Sequence, residues 1–145
     1  MYEVLVPVDE NEERVRSQVE WVTSLPNASA SVHATLLFVF ERKDQSTVPN
    51  EIRSEFSARD VVSSVRRGYR YLQLRDVSVD VVERQFSVTD TILQEATERA
   101  VDCVVLGGRT KPPTESHVFG SVTQEVLLRS SVPVVVTGTG MYRSH

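Results

Sequence analysis

The chain has one cysteine, Cys103, which excludes an internal disulfide and any cysteine-cluster metal site. Cys103 sits in the apolar run Val101–Leu106, the setting of an inert core thiol rather than a reactive one. Histidine is as sparse: His33, His117 and His145 are far apart and lack metal-ligand spacing, so no protein metal site is expected. No apolar run approaches the ~18 residues of a membrane span. The opening Met1-Tyr2-Glu3-Val4-Leu5 has neither the basic nor the long apolar region of a signal peptide, and the expected location is cytoplasmic. Lysine is nearly absent: Lys43 and Lys111 are the only two among 16 basic residues. The formal net charge of -4 argues against a protein built to coat nucleic acid or anionic lipid. Neither a dinucleotide glycine fingerprint nor a Walker phosphate loop occurs, and no Gly-x-Ser-x-Gly elbow supplies a hydrolase nucleophile.

What is present suits one domain spanning 1–145, long enough to bury a core unaided. Hydrophobic residues make up 40% and charged residues 25%, ordinary for a globular chain. Glu3–Val8 reads as a buried strand, and Asp9–Glu13 as an acidic helix start complementing the macrodipole. Val15, Val19, Val22 and Leu25 form one stripe of that helix, closed by Pro26-Asn27. A second strand lies in Ser31–Phe40, and Glu41–Pro49 reads as a flexible surface loop. A longer helix from about Asn50 carries Ile52, Phe56, Val62, Val65, Tyr69 and Leu72, with Gly68 a local weakness. Arg66, Arg67 and Arg70 read as its solvated face. Val77–Val82 alternates as a third, less buried strand. Thr89 or Asp90 is the expected cap of the next helix, with Ile92, Leu93, Ala96 and Ala100 inward. Cys103–Leu106, a helix with Val122, Val126 and Leu127, and the strand Val132–Val136 follow; the tail 138–145 is expected to be flexible. Strand and helix alternate with near-continuous apolar strands, which predicts α/β architecture: a five-stranded parallel sheet, doubly wound in three layers. Ligands of such sheets lie beyond the strands' C-terminal ends, at Pro7–Asp9, Val39–Glu41 and Gly107–Ser121.

The last of these carries most of the chemistry. A buried strand, Val104-Val105-Leu106, runs into Gly107-Gly108-Arg109-Thr110, and a helix opens on Gly120-Ser121-Val122-Thr123. Glycine at a strand end admits a ligand close to the backbone, and free N–H groups at a helix start favour phosphate. Arg109 and Lys111 would screen its charge. The plainer reading makes the glycines turns and Gly120-Ser121 a helix cap.

The segment resembles the universal stress protein family. Its nucleotide-binding branch has Gly, two residues, Gly, nine residues, then Gly followed by Ser or Thr. Here Gly107, the nine residues Lys111–Phe119 and Gly120-Ser121 keep that spacing. Val4-Leu5-Val6-Pro7-Val8-Asp9, Ile92 and Ala96 with Asp102–Gly107, and Val132-Pro133-Val134-Val135-Val136 are similar too. The resemblance implies a flavodoxin-like, adenine-nucleotide α-hydrolase-like sheet of order 3-2-1-4-5. It also implies that adenine and ribose lie against Pro7, Val8, Asp9 and Val39, with phosphates over Gly107, Gly108, Arg109, Gly120, Ser121, Val122 and Thr123. The implied ligand is ATP, with Mg2+, or AMP, and the implied partner a second copy joined through Val132–Thr137. Asp9 has a second reading, as cap of the first helix.

The chain departs from the family pattern at one glycine. The motif's second glycine is Thr110, Glu115 adds a carboxylate, and Pro112-Pro113 removes two N–H donors. Two functions therefore stand side by side: an adenine-nucleotide stress or signalling module, and a dimeric interaction protein whose phosphate loop has changed. No residue is placed as a general base, so fast ATP hydrolysis is not expected.

Overall fold

The computed structural model describes residues 1–40, 62–108 and 120–138. Its elements are β1 (Tyr2–Val8), α1 (Glu12–Thr23), α2 (Ala28–Ser31), β2 (Val32–Phe40) and α3 (Ser63–Leu74). After these come β3 (Ser78–Gln85), α4 (Val88–Glu98), β4 (Cys103–Gly107), α5 (Ser121–Arg129) and β5 (Val134–Thr137). All five strands are parallel, in the order β3-β2-β1-β4-β5, the predicted doubly wound arrangement. The expected loop 41–49, the first part of the long helix from Asn50, and the tail beyond 138 lie outside the described residues.

Side-chain alternation along the strands builds two cores. Val4, Val6 and Val8 of β1 and Ala34, Leu36 and Phe38 of β2 face Val15, Val19 and Val22 of α1 and Val65 and Leu72 of α3. Leu5, Leu37, Val104 and Leu106 point the other way, onto Ile92 and Ala96 of α4 and Val126 of α5. This two-sided burial is why the strands read as continuous apolar runs. Cys103 is buried in the first core, and burial pushes its thiol pKa up, as expected of an inert thiol. Gly68 is buried where α3 crosses α1, and a Cβ there would meet Val15 Cγ1 at 2.9 Å. Its absent side chain is thus a requirement of helix packing. Arg66, Arg67 and Arg70 are exposed, as predicted.

Several boundaries shift, each for a local reason. Asn11, not Asp9, caps α1: its side chain accepts from the Arg14 N–H at 2.9 Å. Ser87 caps α4 ahead of Thr89 and Asp90, its hydroxyl accepting from Asp90 N at 3.5 Å. Asn27, left-handed at φ 56°, starts the short α2, which periodicity could not reveal in four residues. Pro133, lacking an N–H, delays β5 to Val134.

Ala100 is exposed, not inward. It follows the α4 C-cap in the left-handed region at φ 51°, with Ala100 N bonded to Thr97 O and Val101 N to Ala96 O. This pair of hydrogen bonds is a Schellman turn, and it delivers Val101 to the core instead. Asp76, at φ 60°, ends α3 in the same way before Val77.

Candidate functional site

The sheet reverses its winding direction between β1 and β4, the place where doubly wound folds open a crevice. β1 pairs with β2 along its whole length, from Tyr2 opposite Val32 to Val8 opposite Phe38. Its pairing with β4 covers only Val4–Cys103 and Leu5–Val104, after which the two strands part. One side chain fills the resulting gap. Gln18, 1% exposed, donates from Nε2 to Pro7 O at 2.6 Å and to Val105 O at 2.9 Å. Both partners are carbonyls, so the amide orientation is forced. Its Oε1 is buried and has no hydrogen-bond partner among the described residues.

Arg14 lies one helical turn before Gln18, near the mouth of the crevice. Its Nε is 3.0 Å from Asp9 Oδ2, and one terminal nitrogen donates to Gly108 O at a long 3.4 Å. The Nε contact is an ion pair by distance only; the buried N–H is not aligned with an acceptor. The Arg14 stem crosses Gly107, where a Cβ would come within 2.0 Å of its Cγ. Ser17, on the same face of α1, meets the Thr137 hydroxyl at 2.8 Å. Arg14, Ser17 and Gln18 thus form a polar i, i+3, i+4 stripe along the crevice, beside the valine stripe that faces the core.

The predicted site residues occupy this end of the sheet. Pro7 and Val8 end β1; the Pro7 carbonyl is held by Gln18, and the Val8 side chain is in the core under α1 and α3. Asp9 is exposed beyond the strand, where Oδ1 accepts from Asn11 N at 3.0 Å and its carbonyl accepts from the Ser64 hydroxyl at 2.6 Å. Val39, on β2, packs toward the opposite core, under α4 and α5. Gly107 ends β4, and Gly108 donates to Thr137 O at 2.7 Å. A Cβ on Gly108 would meet that same backbone oxygen at 2.7 Å. Both glycines are therefore closed by the protein's own atoms.

Gly120 differs from them. It is the N-cap of α5, and among the described residues nothing lies within 4 Å of where a Cβ would stand. Because α5 links two parallel strands, it runs against them, which brings its N-terminus to the end of the sheet that holds Asp9. Ser121 is exposed, Val122 half-buried and Thr123 buried. Arg109, Thr110, Lys111, Pro112, Pro113, Glu115 and His117 lie outside the described residues.

Arg14, Ser17 and Gln18 were not among the sequence-based site residues. Their helical spacing is a signal, but it looks like a solvated face until β4 is known to lie opposite.

The family model of universal stress proteins matches residues 1–138. The chain belongs to the universal stress protein family. Solved structures show the same fold at low identity. Hypothetical protein MJ0577 superposes with a TM-score of 0.76 at 20% identity, over 99% of this chain and 97% of that one. The universal stress protein from Archaeoglobus fulgidus in complex with dAMP has a TM-score of 0.68 at 16% identity, covering 94% and 98%. A family member from Arabidopsis thaliana with AMP bound has a TM-score of 0.70 at 15% identity, covering 100% and 96%. A search of curated proteins found no match. Among the described residues of this universal stress protein, no helix is long and apolar enough to cross a membrane.

Proposed function

We propose that this universal stress protein is a cytoplasmic stress-response module that binds ATP or AMP at the crevice between β1 and β4, without fast catalysis. The observation that carries this reading is the α5 N-terminus, where Gly120 is open among the described residues, at the sheet end where the Asp9 carboxylate stands. Its first-turn N–H groups and positive dipole end suit phosphate. Asp9, 54% exposed, suits a ribose hydroxyl or the adenine amine, beside the main chain of Pro7 and Val8, with half-buried Val39 near the end of β2. Since the Gly108 N–H is engaged by Thr137, the phosphates rest on Gly120, Ser121, Val122 and Thr123 more than on Gly107 and Gly108. ATP would bring Mg2+ on its phosphates. The nucleotide-bound relatives from Archaeoglobus and Arabidopsis support the ligand class.

The same reading includes a homodimer joined through Val132–Thr137. β5 lies at the end of the sheet order, so its outer edge has no strand partner among the described residues. One observation favours a second function, a dimeric interaction protein that binds no nucleotide: Arg14 covers Gly107 and Thr137 closes Gly108.

Calorimetry with ATP, AMP and cyclic di-AMP, with mass spectrometry of ligand released from purified protein, decides between them. Adenylate retained on purification, or an affinity tighter than millimolar, is the expected result. No bound adenylate and no such affinity would leave the interaction protein as the function.

A further inference from the structure

We propose that Arg14 makes this crevice select 5′-phosphorylated adenosine over adenosine, exchanging its contact with Asp9 for the phosphate next to the ribose. The inference rests on the nucleotide-binding reading and assigns a residue that neither the motif nor the helix N-terminus supplies.

Arg14 is anchored where such an exchange needs it. Its backbone is fixed in the first turn of α1 by the Asn11 cap, and its carbonyl accepts from the Ser17 hydroxyl at 2.7 Å. The stem lies against bare Gly107, which places the guanidinium between the ends of β1 and β4 without occupying the core. The side chain is 25% exposed, so the cation is largely withdrawn from water yet reachable.

Its present contacts are weak for a guanidinium. A planar fork of five N–H donors is best satisfied by two parallel bonds to one oxyanion. Among the described residues, Nε faces Asp9 without alignment, and the other polar contact of the guanidinium is a 3.4 Å bond to a neutral carbonyl. Asp9 has a second attachment, to Asn11 N, so it keeps its position when Arg14 turns away. A phosphate offers bidentate geometry and at least as much charge as Asp9. Once exchanged, the Asp9 Oδ2 oxygen is free to accept a ribose hydroxyl. Adenosine lacks the phosphate and must compete with Arg14 for Asp9, gaining nothing in return.

The test is calorimetric titration of the full chain and of Arg14→Gln, Arg14→Lys and Asp9→Asn with AMP and with adenosine. Urea midpoints establish that each variant is folded. The wild-type protein should bind AMP at least about tenfold more tightly than adenosine, as one charge-assisted contact implies. Arg14→Gln should bring the two affinities within about threefold by weakening AMP, while Arg14→Lys keeps part of the preference as a point charge. Asp9→Asn should weaken adenosine and retain the preference for AMP, which keeps the role of Arg14 measurable even where Arg14→Gln unfolds. An AMP preference unchanged in Arg14→Gln, or lost in Asp9→Asn with Arg14 intact, overturns the role of Arg14 alone. A wild-type protein that binds neither ligand overturns the nucleotide reading and, with it, this one.

Discussion

Replacing Gln18 with leucine tests whether one amide holds the switch point together. The side chain is similar in size and 1% exposed, so packing is nearly conserved and the change is largely in hydrogen bonding. Two bonds disappear, to Pro7 O at 2.6 Å and Val105 O at 2.9 Å, and two carbonyl acceptors are left without that donor. Each such loss costs about 1–3 kcal/mol. Against this, the buried Oε1 already lacks a partner among the described residues, and removing it returns about 1 kcal/mol. The net expectation is a destabilisation of about 1–5 kcal/mol, or a fall of roughly 3–15 °C in Tm for a chain of this size. Urea unfolding at neutral pH, followed by circular dichroism, measures it as a lower midpoint at unchanged slope. Gln18→Glu should cost more at neutral pH, since it sets a carboxylate against two carbonyl oxygens, and should recover in acid as the protonated form donates one bond. A Gln18→Leu protein within about 0.5 kcal/mol of wild type would refute the bridging role.

Two further outcomes follow from the packing around α4. Glu95 is buried between Arg84, at 2.8 Å, and Arg99, at 2.7 Å. Burial alone would raise its pKa, but the hydrogen bonds from Arg99 and Arg84 together outweigh it and hold the group below its ordinary value. A depressed carboxylate stabilises the fold above its unfolded pKa, and that contribution is lost as pH falls through the folded value. Glu95→Gln should therefore cost about 2 kcal/mol at pH 7, less than a fully buried pair because both arginines can rehydrate. Its urea midpoint should begin to converge on that of wild type as pH falls below about 4 and do so fully only below the lowered folded value, and a gap that stays constant with pH would refute the charge-based account. Ala100→Gly should stabilise the protein by about 0.5–1 kcal/mol, because relief of the left-handed strain at φ 51° exceeds the added chain entropy. A lower urea midpoint for this variant would contradict the Schellman geometry.

A parallel sheet with two covered faces was legible in the sequence because burial on both sides makes β1, β2, β4 and β5 apolar runs, whereas the order β3-β2-β1-β4-β5 came only from the family resemblance. The helices were legible from the spacing of Val15, Val19 and Val22, and of Ile92 and Ala96. Their ends were less so, since Asn11, Ser87 and Ala100 act through individual dihedral angles and single hydrogen bonds that periodicity does not encode. The glycine motif marked the end of β4 and the start of α5, which lie with Asp9 at one end of the sheet. What only the tertiary structure decided is which atoms face each other there. Arg14 and Gln18 are ordinary polar helix residues until α1 is laid across the gap between β1 and β4. Gly107 reads as an opening for a ligand until the stem of Arg14 is found against it. Local pattern records burial and period, whereas the crevice comes from strands adjacent in space and distant in the chain.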